Sequence, residues 1–275
     1  MRHIYLTMTK WIFYCIYAIV LPITSCNNTA VKSDQPTPEQ EKELRDIVSH
    51  FPDSTLAREN LIQYFRENGN YGKAITETDI AIQIDSLNDR FQDIKATLYF
   101  ENGDTTQAIQ CFEKAILIHP KTVYIISLGS LYAQTKNPRA LTLADALLAA
   151  TGANAQQQAI FIKGLYFSYT GDKRKAIGYF NNCLQLDYRN MMAYREKAIC
   201  LFDLAQYELA LDVMKNAVTV QKTFDEAYYW MGRCYEKLGK RKEAIENYEL
   251  ALQIDTNYLE AKDALKRCIN TQIEK

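Results

Sequence analysis

The residues best equipped for chemistry in this chain are its cysteines and histidines. Among seven cysteines, Cys200, Cys234 and Cys268 fall 34 residues apart. A row of equivalent thiols suits a metal, a redox pair or a disulfide, and each of these needs something more. A metal site needs further ligands, and none accompanies the row at helical spacing. Equivalent residues on stacked helices lie roughly 8–10 Å apart, whereas a disulfide needs Cα atoms within about 7 Å. These thiols, with Cys111 and Cys183, are therefore expected to be small packing residues. His50 and His119 stand alone, so no metal is expected. The sequence has no glycine-rich phosphate loop, nucleophile elbow or CxxC pair. No catalytic residue, cofactor or small-molecule substrate is expected. The net charge of -1 lacks the basic stripe of a nucleic-acid binder.

Cys26 is different. Residues 1–25 read MRHIYLTMTKWIFYCIYAIVLPITS: Arg2 and Lys10 precede an apolar run from Trp11 to Ile23, with no acidic residue. This is a signal-peptide pattern, and the run is shorter than the roughly 20 residues of a membrane-spanning helix. Met8 is an alternative start. Ile23, Thr24, Ser25 and Cys26 resemble the lipobox of bacterial lipoproteins, the alternative being a plain secretory signal followed by a chance cysteine. The resemblance implies a diacylglyceryl group on Cys26, cleavage that leaves Cys26 at the N-terminus, and a membrane-anchored protein of the bacterial cell envelope. Asn27 stands where an Asp marks inner-membrane retention in some bacteria, so the resemblance implies the outer membrane. Residues 26–36 then form the lipidated cysteine and a polar, flexible tether.

The elements that position everything else are helices. Six prolines and ten glycines are too few for the many turns of an all-β chain. Alanines fall at 74, 108, 176, 210 and 244, spaced by 34 residues or twice that. A second series follows seven residues later at Ala81, Ala115, Cys183, Ala217 and Ala251. Large residues lie between them at Phe112, Phe180, Met214 and Tyr248, with Thr78 as the weak member. Small residues let two helix backbones approach, and large ones fill the grooves between hairpins.

This pattern resembles the tetratricopeptide repeat, two antiparallel helices in 34 residues. The resemblance implies an all-α, right-handed superhelical solenoid of antiparallel helix pairs. Six units are expected at 55–88, 89–122, 123–156, 157–190, 191–224 and 225–258. A capping helix at 37–54 and another at 259–275 flank them. Gly69, Gly103 and Gly171 take the turn between helices, where positive φ ends the first one. The third unit is degenerate: Ala140 lies 32 residues after Ala108 and 36 before Ala176, so its turn is expected to be two residues short.

In the tetratricopeptide family, five places of each first helix line a concave groove. Carried over, they make Phe161, Leu165, Tyr169, Arg195, Ile199, Phe202, Tyr229 and Arg233 the candidate partner-binding residues. Glu59, Arg66, Asp93 and Glu101 make the early groove charged. The implied function is a scaffold or adaptor that binds a peptide or partner helix. The alternative is a chaperone-like assembly factor for outer-membrane or exported proteins.

Overall fold

The computed structural model describes residues 38–149 and 153–270. The expected signal segment, Cys26 and the expected tether lie outside the described residues, as do 271–275 of the expected C-terminal cap. Every regular element among the described residues is an α-helix, and none is long and apolar enough to cross a membrane. The helices are α1 (Pro38–His50), α2 (Thr55–Glu67), α3 (Tyr71–Ile84), α4 (Asp89–Glu101), α5 (Thr105–Ile118), α6 (Thr122–Gln134) and α7 (Arg139–Ala149). They continue with α8 (Ala153–Thr170), α9 (Lys173–Leu186), α10 (Met191–Asp203), α11 (Tyr207–Val220), α12 (Asp225–Lys237), α13 (Arg241–Ile254) and α14 (Leu259–Asn270). Six antiparallel pairs run from α2/α3 to α12/α13, with α1 before and α14 after. The helices fall into two compact units, one up to Leu128 and one from Gly129.

The sequence repeats the means of making each hairpin. The first helix ends on a residue with positive φ: Gly69 at 68°, Gly103 at 84°, Gly171 at 100° and Gly239 at 71°. Asn70, Asp104 and Asp172 then cap the second helix, their side chains accepting from the backbone N–H of Lys73, Gln107 and Lys175. Such a cap satisfies a donor that the first turn otherwise leaves open.

Packing inside a pair is complementary in size. A Cβ on Gly232 would lie 2.5 Å from the Tyr248 ring, and one on Gly164 would lie 2.6 Å from Phe180. Both rings are fully buried. The first pair reverses the sizes, burying Ile62 in the small place and Thr78 in the large one. Volume is conserved although the pattern is not.

The third pair shows where its two residues went. Its turn has the usual form, with Asn137 N–H bonded to Tyr132 O as Asn70 is to Phe65, but it comes one place early. The second residue is lost at the entry to α7. Ala140 N–H bonds Asn137, three residues back, where Ala74 bonds Asn70, four back. Pro138 sits at that tightened entry. Ala140, Ala144 and Leu147 then bury at the same spacing as Ala74, Thr78 and Ala81. Helix α8 begins at Ala153 and is 18 residues long.

Candidate partner-binding surface

In the unit ending at Leu128, the charged residues of the first helices mostly neutralise one another. Arg90 Nε donates to Glu59 Oε1 at 2.6 Å, and Arg66 Nε donates to Glu101 Oε2 at 2.8 Å. Asp89 is buried and accepts from Lys121, Tyr124 and His119. Burial opposes its ionisation, but those three donors outweigh burial and hold its pKa at about 2. Asp93, one turn along α4, is pushed up to a pKa of about 6 by burial.

In the unit from Gly129, the consecutive first helices α8, α10 and α12 touch one another. The eight residues expected to line their groove divide. Phe161, Leu165 and Arg195 are buried, at 6 %, 3 % and 3 % exposure, and so are not available as groove contacts. Phe161 packs on Phe180, with centroids 5.7 Å apart. Arg195 lies inside an ion triad, donating to Glu196 Oε1 at 2.9 Å and to Glu226 Oε2 at 3.2 Å. A register rule reports which way a side chain starts, and the next helix decides whether it ends in solvent. Tyr169, Ile199, Phe202, Tyr229 and Arg233 are half-buried.

Phe202, Tyr229 and Arg233 come together with residues the repeat pattern did not single out. Trp230 meets Phe202 edge to face at 5.5 Å and Tyr229 at 5.7 Å. Tyr207 meets Phe202 at 5.1 Å, and Tyr258 meets Tyr229 at 5.1 Å. These are favourable ring geometries. The Arg233 guanidinium sits 4.9 Å from the Phe202 centroid, 5.0 Å from Trp230 and 5.9 Å from Tyr229. Its Nη1 donates to the Tyr229 hydroxyl at 3.4 Å. The groove places of the repeat do not include Trp230, which follows one in sequence and lies about 100° round the helix from it. Tyr258 lies before α14, outside any first helix. The density of YYW at 228–230 was the available signal for such a cluster.

The surface is held by strong local choices. Asn190 caps α10 by accepting from Ala193 N–H. Helix α12 has no side-chain cap but carries Asp225 and Glu226 in its first turn, where acids complement the helix dipole. Rings with partly exposed faces beside a guanidinium suit apolar and planar groups.

The thiols offer no second site. Cys200, Cys234 and Cys268 are buried and unpaired, and burial raises their pKa values to about 11, 12 and 11. A thiol held protonated is a weak nucleophile. Cys200 Sγ donates to Ser168 Oγ at 3.3 Å.

Comparisons with known proteins agree with this architecture. Residues 225–258 and 90–122 each match a family model described as tetratricopeptide repeat. Stress-induced-phosphoprotein 1 of Caenorhabditis elegans is 23 % identical over 257 residues, covering 81 % of this chain and 80 % of that protein. A tetratricopeptide repeat protein from Parabacteroides merdae superposes with a TM-score of 0.69 at 19 % identity, over 83 % of this chain and 91 % of that one. A thermophilic repeat protein from Thermus thermophilus gives 0.56 at 16 % identity, over 66 % and 98 %. Residues 90–122 and 225–258 thus match tetratricopeptide repeats, and the chain has the all-α fold of a helix-pair solenoid.

Proposed function

We propose that this protein is a non-catalytic interaction scaffold of the bacterial cell envelope, anchored through lipid on Cys26 at the outer membrane. A peptide or partner helix seats on the surface of Phe202, Tyr229, Trp230 and Arg233. The observation that carries this reading is the ring cluster itself. Five aromatic side chains from α10 to the start of α14 are left half-buried in one cluster, three of them around the Arg233 guanidinium. Rings that served only to fill the core would be covered, as Tyr248 and Phe180 are. Tetratricopeptide repeats are protein-interaction modules, and the helix-in-groove mode uses anchors of this kind.

Cross-linking in native membranes followed by mass spectrometry identifies the partner. The double variant Phe202→Glu, Tyr229→Glu is then expected to weaken its binding by at least about a hundredfold, as the loss of two central anchors implies. The helical circular dichroism signal should be kept. Arg233→Glu, which leaves every ring in place, is the companion control for folding. Binding that survives all three changes rejects the surface. A stable stoichiometric complex supports the scaffold, whereas transient capture of unfolded chains points to an assembly factor. The anchor is tested separately by the mass of the mature N-terminus: cleavage elsewhere, or an unmodified Cys26, refutes it.

A further inference from the structure

The stacking of first helices brings residues 31 positions apart into register. Glu59 binds Arg90 across one such step, and Arg195 binds Glu226 across another. The same step taken from Tyr229 reaches Glu260 on α14. Here a tyrosine stands at the place of the charged residue, and Oε2 of Glu260 is buried with no hydrogen-bond partner among the described residues. Buried carboxylate oxygens are rarely left this way.

The surroundings favour positive charge. Tyr229 and Tyr258 meet at 5.1 Å with planes inclined by 44°, and burial together with the fields of Glu226, Glu260 and Asp225 raises the Tyr258 pKa. Arg195 serves both Glu196 and Glu226, so carboxylates outnumber guanidinium in that triad before Glu260 is added. Arg233 is engaged over Phe202 and Trp230, and among the described residues no ion pair joins it to Glu260.

We infer that the junction of Tyr229, Tyr258 and Glu260 takes the cationic head of a lysine or arginine side chain from the bound partner segment. One cation at this place satisfies two needs. It gives the buried Oε2 of Glu260 a partner, and it sits against ring faces whose quadrupole attracts positive charge. The chain places its own arginine at the preceding junction and leaves this one to the partner. The inference rests on the interaction surface proposed above and adds the chemistry of what binds it.

The test is selection of binders from a random peptide library displayed on phage, with the full chain as bait. Binders are expected to be enriched in arginine or lysine. In a synthetic binder, replacing that residue by its neutral analogue, citrulline or norleucine, should weaken binding roughly tenfold or more. Glu260→Gln should abolish the preference for the charged peptide while leaving the helical signal intact. Its melting temperature without peptide should be unchanged or higher. Peptides that depend on Phe202 and Trp230 but bind equally well in charged and neutral form overturn this inference and leave the interaction surface standing. Binders indifferent to Phe202 and Trp230 overturn both. A Glu260→Gln chain that melts markedly lower assigns the carboxylate a structural role and also overturns the inference.

Discussion

At the scale of single residues, α4 holds two aspartates four apart with opposite behaviour. Asp89 is held near pKa 2 by its donors. It therefore adds stability that is present above its unfolded value of 3.8 and lost as pH falls through 2. Asp93 is raised to about 6, first by burial and then by the charge of Asp89, against the pull of Arg90. Its contribution has the opposite sign: present below pH 3.8 and lost as pH rises through 6. Asp93→Asn is therefore expected to stabilise the chain at pH 7 by about 1–2 kcal/mol and to change little at pH 4. Urea midpoints at the two pH values check this. Equal gains at both would mean that Asp93 is not the group that titrates. Arg195, by contrast, is a buried ion whose removal leaves two buried carboxylates, a change that costs about 3–5 kcal/mol in comparable triads.

At the scale of elements, the hairpin turn is the informative unit. Four of the six pairs place glycine at the residue with positive φ, but the fifth has Ala205 at 57° and the third has Lys136 at 59°. A side chain there costs about 1–2 kcal/mol against the left-handed region, partly offset because glycine loses more entropy on folding. Ala205→Gly should thus stabilise the chain by about 0.5–1 kcal/mol, read as a rise in the denaturant midpoint with an unchanged slope. Loss of stability would show that the alanine methyl makes a contact worth more than the strain. The third pair shows how an element tolerates a deletion. One residue is absorbed by starting the turn early and one by tightening the entry to α7, so the buried faces keep their spacing.

At the scale of the whole molecule, the helices within each unit pack on their neighbours in the chain, so stability is local. Gly232→Ala drives a methyl into the edge of the buried Tyr248 ring, and overpacking of this kind costs about 1–3 kcal/mol. The expected result in native-state hydrogen exchange is faster opening of α12, α13 and α14, with protection in α2 and α3 unchanged. Uniform loss of protection from α2 to α14 would mean that the two units unfold as one.

A 34-residue period of small and large side chains was enough to read the fold. Helix-pair packing depends on residue volume at fixed places, and volume is written in the sequence. Even Ala140, two places early in the third pair, marks the irregular hairpin in the sequence. The site was only partly legible. Tyr229, Phe202 and Arg233 follow from the phase of the repeat, because first-helix places face a common side. Whether a side chain on that side stays open depends on what the next helix brings against it. Arg195 is sealed by Glu196 and Glu226, and Phe161 is packed on Phe180, whereas Trp230 and Tyr258 enter the cluster from places the period does not mark. Burial and partnership between residues 31 apart belong to the stacked structure alone, which is why the unpaired oxygen of Glu260 appears only there.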